Sequence, residues 1–198
     1  MRSRFLPEGR LLHTPENEAA CASRDGLRRA MEEETVLEGV AQLCDGAHNL
    51  LVSVGPFTGF LPREEAALGI AEGTTREIAI LSRVGKPVCF QITALEESEG
   101  VLRPRLSRRR AQQAALDAML AGLHPGCILP AVVTHLESFG AFVDIGCGVP
   151  SLIGIENISV SRIPPPDQRF RVGQAIFAVV QELDPKLGRV YLTHRELL

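Results

Sequence analysis

The sequence predicts an all-β fold with flanking helices, arranged as two tandem five-stranded Greek-key barrels. Three observations point there. From position 36 onward the apolar segments are short and punctuated by turn signals such as Asp45-Gly46, Gly55-Pro56 and Pro125-Gly126. The 18 Gly and 13 Pro demand many tight connections, and 198 residues suffice for one ordinary domain or two small ones. The two halves also carry similar motifs in the same order.

Phe5-Leu6-Pro7 reads as an extended lead-in. Thr14 followed by Pro15 is a helix start, with Thr14 as N-cap and Pro15 in the first turn. A second helix is expected over 25–33 after Ser23, with Leu27, Ala30 and Met31 at helical spacing. Strands are expected over 36–44, 50–54 and 57–62. An irregular stretch or short helix (63–72) and the apolar segment 78–81 come next, then strands over 86–95 and 101–106. Ser107 caps a helix over 108–120 that Gly122 and Pro125-Gly126 stop. A second strand set is expected over 127–136, 141–145 and 151–155. After a loop holding Pro164-Pro165-Pro166, it resumes over 174–183 and 189–193. The organisation expected is a helical extension (1–34), a first barrel (35–106), a linker helix (107–123) and a second barrel (124–198).

The halves align through Arg83-Val84-Gly85 with Arg171-Val172-Gly173, 88 positions on. Thr58-Gly59-Phe60-Leu61 takes the place of Pro150-Ser151-Leu152-Ile153, and Leu106-Ser107-Arg108 that of Leu192-Thr193-His194. The offsets drift between 86 and 92, as loops of unequal length between equal strands require. Five strands per repeat is the plan of the OB fold, whose strand 2–3 face commonly binds oligonucleotides. Single-stranded nucleic acid is therefore the default ligand class, although fold alone does not decide function.

The stretch richest in chemistry is Phe139-Gly140-Ala141-Phe142. In a regular strand, positions 139 and 142 face opposite ways. A bulge at Gly140 would bring both rings to one face, a platform on which unpaired bases stack. The alternative is that one or both rings are core. The repeat offers a control: the first half has His48 and Leu51 at the aligned positions, so a barrel closes without aromatics there. That favours the platform and confines it to the second barrel. A ring inside the barrel, or the rings on opposite faces, would refute it.

Residues 126–195 resemble the RNA-binding domain named after ribosomal protein S-one. The pieces that carry the resemblance are Phe139-Gly140-Ala141-Phe142-Val143-Asp144-Ile145-Gly146, Ser151-Leu152-Ile153-Gly154, Arg171-Val172-Gly173-Gln174, Glu182-Leu183-Asp184 and Gly188-Arg189-Val190-Tyr191-Leu192-Thr193. The resemblance implies a face built from two strand-2 aromatics, a His after strand 3, and an acid and a base around the last hairpin. Phe139 and Phe142 match the aromatics, Asp184 the acid and Arg189 the base, whereas Gly154 stands where the His would be. His135 and His194 are candidates to compensate, and each reads equally well as a surface residue. Asp184 with Pro185 and Gly188 is also an ordinary turn sequence. The first half resembles the same family only in outline. Arg103 aligns with Arg189, and Arg105, Arg108, Arg109 and Arg110 complete the main basic cluster. One reading is a groove tracking the RNA backbone, the other a solvated helix start. Three arginines opposing the helix dipole favour the first. Phe57 and Phe60 are expected in the core.

The net charge of −3 excludes a protein held to nucleic acid by a global positive field, so contact must use local patches. Residues 105–123 are the basic exception, with four Arg against one Asp. Hydrophobic content of 45% with 23% charge is that of a folded, soluble chain. Without a long apolar run or a signal-like N-terminus, the expected location is cytoplasmic. The five cysteines are scattered without a Cys-x-x-Cys pair and read as reduced and structural. No catalytic motif, metal set or cofactor loop stands out. The expected function is non-enzymatic binding of single-stranded RNA in translation or RNA metabolism, with the ribosome or RNA-processing proteins as further partners. No cofactor, metal, membrane or small-molecule substrate is expected. The alternative is a protein-interaction adaptor on the same scaffold. The absence of a helix after the second barrel predicts that the natural chain continues beyond Leu198.

Overall fold

The computed structural model describes residues 5–161 and 165–197; Pro164 of the proline loop and Leu198 lie outside them. The chain divides into two compact units, Glu8–Ala114 and Ala115–Leu198, the latter with the segment ahead of Glu8.

In the first unit, α1 (Pro15–Cys21) starts where expected, with the Thr14 hydroxyl accepting from the Asn17 amide. The Ser23 hydroxyl accepts from the Gly26 amide to start α2 (Arg24–Glu32). Five strands follow: β1 (Leu37–Cys44), β2 (Leu50–Val54), β3 (Phe57–Leu61), β4 (Pro87–Ser98) and β5 (Val101–Ser107), closing in the order β1-β2-β3-β5-β4. The apolar segment before β4 is one helical turn, α3 (Ile78–Leu81). Alternation along β2 sends Leu50, Val52 and Val54 inward, where they meet Leu37, Leu61, Phe90 and Leu106. Cys21, Leu27 and Ala30 from α1 and α2 join the same core. Asn17 locks α1 to β1 through a reciprocal pair of hydrogen bonds with the Glu38 backbone.

Helix α4 (Arg108–Gly122) begins in the first unit, and the unit boundary falls inside it. The second unit holds β6 (Ile128–Glu137), β7 (Gly140–Asp144), β8 (Pro150–Gly154), β9 (Ala175–Asp184) and β10 (Arg189–Thr193), ordered β10-β9-β6-β7-β8. The Ser151 hydroxyl donates to the Val190 carbonyl at 2.5 Å across the seam between β8 and β10. The His194 amide donates to the Asn157 carbonyl nearby.

The repeat is written in the hydrogen bonds. In the first barrel the Gly85 amide donates to the Ala41 carbonyl at 2.7 Å; in the second, Gly173 donates to Val133 at 2.7 Å. The return bonds also match, Ala41 to Lys86 and Val133 to Gln174. Both glycines sit at positive φ, +82° and +86°, which explains the shared Arg-Val-Gly turn. Each first strand is bulged one step later, between Ala41 and Leu43 and between Val133 and His135. Position by position, Leu43 therefore corresponds to His135, Leu51 to Phe142, Phe60 to Leu152 and Arg105 to Tyr191.

Two buried carboxylates pull the pH response of the first unit in opposite directions. Burial raises Glu8, but the Arg108 charge and hydrogen bond, with help from Arg83, outweigh it and hold the carboxyl at about 2. Burial pushes Glu38 up to about 7, with the Glu8 charge adding to it. A lowered acid stabilises above its unfolded value and loses that contribution as pH falls from about 4.5 to 2. A raised acid contributes fully below about 4.5 and is lost as pH rises through 7. Glu38→Gln should therefore flatten the decline in stability between pH 5 and 8, by on the order of 2–3 kcal/mol at the alkaline end. Urea melts across that range check it, and an unchanged slope would contradict it.

Candidate nucleic-acid interface

Phe139 and Phe142 lie side by side. Phe139 is 52% exposed and Phe142 half-buried, and their ring centroids are 6.1 Å apart at 87°. The expected bulge at Gly140 does not produce this arrangement. Phe139 sits in the β6–β7 turn, outside the strand alternation, and β7 begins at Gly140. Only the bulge in β6 is present, before His135. Gly140 serves a different purpose: a Cβ there would clash with the Ile153 carbonyl oxygen on β8. The glycine permits that close approach, and the Ile155 amide donates to the Phe139 carbonyl at 2.9 Å, pinning the turn.

His135 is cross-strand from Phe142, and its ring stacks on that of Phe142 at 6.2 Å and 30°. Its Nε2 lies 2.6 Å from the Glu137 carboxylate. Three flat side chains thus share one exposed face. Such a face offers stacking surface to unpaired bases.

The other expected residues fall into different settings. Asp184 Oδ1 accepts from the Lys186 and Leu187 amides, each at 3.0 Å, so the carboxylate organises the β9–β10 turn. Arg189, paired with Asp184 in the ladder, is exposed and forms no ion pair among the described residues. The His194 ring packs edge-on against buried Phe170 at 5.0 Å, and its Nδ1 lies 3.1 Å from the Ile158 carbonyl. That placement ties it to the Ile158 segment. Gly154, where the resemblance implies a His, pairs with Gly140 at the end of β8.

The basic cluster needs correction. Arg108 is buried, bound through Nε and Nη2 to the Glu8 carboxylate and through Nη1 to the Ala66 carbonyl. It cannot line an open groove. Arg109 Nη2 donates to Glu65 at 2.9 Å, and the Ser107 hydroxyl both donates to Glu65 and caps the Arg110 amide. The arginines opposing the α4 dipole are thus offset by Glu8 and Glu65, which removes the argument that their cost signals function. Arg103 and Arg110 remain exposed, and Arg105 lies over the Phe60 ring at 5.6 Å with Glu96 at 3.8 Å. Phe57 packs against the core as expected; Phe60 does not, facing outward with Arg105.

Sequence reading passed over Leu152 and Tyr191. Phe142 pairs with Leu152, and the half-buried Tyr191 lies on β10 between inward Val190 and Leu192. The signal was present: the offset that aligns Leu106 with Leu192 also aligns Arg105 with Tyr191.

The five cysteines are free thiols, and burial raises the Cys21 thiol to about 11. Among the described residues no helix is long and apolar enough to cross a membrane.

Residues 123–195 match the family described as S1 RNA binding domain. The chain is 27% identical over 177 residues to small ribosomal subunit protein bS1 of Neisseria meningitidis serogroup B, covering 86% of this chain and 29% of that protein. It is 37% identical over 113 residues to Protein tex of Bordetella pertussis, covering 57% of this chain and 14% of that one. With bS1 of Staphylococcus haemolyticus it shares 26% over 181 residues, or 89% of this chain and 43% of the other. The chain thus spans less than half the length of each of these relatives. Among solved structures, GSP13 from Bacillus subtilis aligns with a TM-score of 0.36 and 23% identity, over 38% of this chain and 58% of that one.

Proposed function

We propose that this chain, whose residues 123–195 match the S1 RNA binding domain family, binds single-stranded RNA through the outer face carrying His135, Phe139, Phe142 and Arg189. The observation that carries the reading is the exposed cluster of Phe139, Phe142 and His135. Unpaired bases stack on the rings, and Arg189 meets a phosphate or slides under a base. Asp184 acts by shaping the turn that presents Arg189. The similarity to ribosomal protein bS1 supports a place in translation or RNA metabolism. The role is non-enzymatic binding.

Fluorescence anisotropy with a short single-stranded RNA tests it. Binding is expected in the micromolar to sub-millimolar range. With about three phosphate contacts, the slope of log K against log salt should be near −2, from roughly −0.7 per phosphate. No salt-sensitive binding in that range would favour the second reading, a protein-interaction adaptor. That reading draws on the first barrel, where Leu43 is 55% exposed beside Leu51 and the outward-facing Phe60.

A further inference from the structure

The stacking face does not end at Phe142. His135 pairs across to Phe142, and Phe142 pairs across to Leu152 on β8. The edge strands β8 and β10 of this sheet face each other across a seam bridged by the Ser151 hydroxyl and the Val190 carbonyl, so the next outward position along the row is Tyr191. The first barrel supplies an internal ruler for that last step. Its β3 and β5 run parallel with Phe60 opposite Arg105, and the Arg105 guanidinium reaches over the Phe60 ring. Phe60 and Arg105 are the counterparts of Leu152 and Tyr191. Side chains at these two positions can therefore meet on the outer surface.

We infer that Tyr191 is a fourth ring contact of the single-stranded RNA site, extending the row His135, Phe142, Leu152 across the β8–β10 seam. This rests on the RNA-binding reading of residues 123–195. Three features of the residue support it. Val190 and Leu192 on either side are buried, so alternation along β10 turns Tyr191 outward, on the same side as Arg189. The residue is half-buried. Its phenol has no hydrogen-bond partner among the described residues, which leaves a donor and acceptor for a ribose hydroxyl or a base edge. Tyrosine thereby restores, on a different strand, a polar stacking group of the kind that Gly154 lacks. A nucleotide over Phe142 would have its neighbour over Leu152 and Tyr191.

The chain has one Tyr and no Trp, so tyrosine emission reports on Tyr191 alone. The full chain is titrated with a short oligouridylate RNA, following both anisotropy and tyrosine fluorescence lifetime. The lifetime should shorten at saturation as a base stacks on the ring. Tyr191→Ala should weaken binding roughly 5- to 100-fold. Tyr191→Phe keeps the ring and should stay within about fivefold of wild type. If wild type binds and the Phe139→Ala/Phe142→Ala variant loses binding, yet Tyr191→Ala binds as wild type with the lifetime unmoved, the inference is overturned and the RNA-binding reading stands. If wild type fails to bind, both fall together.

Discussion

Phe139→Ala/Phe142→Ala should abolish most of the RNA affinity while leaving the fold intact. Each ring that stacks on a base is worth about 1–3 kcal/mol by alanine substitution, so the pair should cost at least about 30-fold in Kd and up to about ten-thousandfold. Loss of fold would not explain such an effect. Phe139 stands in a turn and is exposed, and Phe142 points away from the Val143 and Ala141 that line the barrel interior. Neither truncation opens a cavity in the core, so thermal unfolding should move little. The first barrel makes the same point, since it closes with His48 and Leu51 at these positions. Anisotropy on the variant, with circular dichroism as the control for folding, measures both parts. A variant that binds as well as wild type would show the stacking face to be misassigned.

Arg108→Met should do the opposite, damaging the first unit without touching RNA affinity. The Arg108 and Glu8 side chains are 7% and 4% exposed, and the two are joined by hydrogen bonds of 2.6 and 2.9 Å. Removing the guanidinium takes the nearer cation from the buried Glu8 carboxylate, leaving Arg83 at 3.7 Å, and breaking such a pair costs about 3–5 kcal/mol. For a unit near a hundred residues that is on the order of 15 °C or more in Tm. The Ala66 carbonyl would lose its donor as well. Hydrogen exchange localises the effect: first-unit amides should lose protection, while those of the second barrel and the RNA Kd stay put. A fall in RNA affinity with the first unit still folded would return Arg108 to the binding surface.

These two cases show which features can be read from sequence. The ten strands were legible because alternation and turn residues act locally, as in Leu50, Val52 and Val54 before Gly55-Pro56. The helix starts were legible for the same reason, each cap reaching only three residues ahead, from Thr14 to Asn17 and from Ser23 to Gly26. Arg108 was not, because its partner lies 100 positions away and nothing local distinguishes a buried arginine from a solvated one. Phe139 and Phe142 were found for a reason that was only half right. Strand parity alone set them apart, and the turn, by lifting Phe139 out of the alternation, brought them together. Phe60 was misplaced because β3 is short and its outward neighbour Arg105 comes from a strand over forty residues on. Tyr191 was passed over because its place in the row depends on two strands meeting across a seam.

An amide NMR titration of the full chain with a short single-stranded RNA locates the binding face directly. The largest shifts are expected at His135, Phe139, Phe142, Arg189 and Tyr191, with first-barrel core amides unmoved. Shifts concentrated instead around Leu43, Leu51 and Phe60, with the Phe139 turn silent, would contradict that placement.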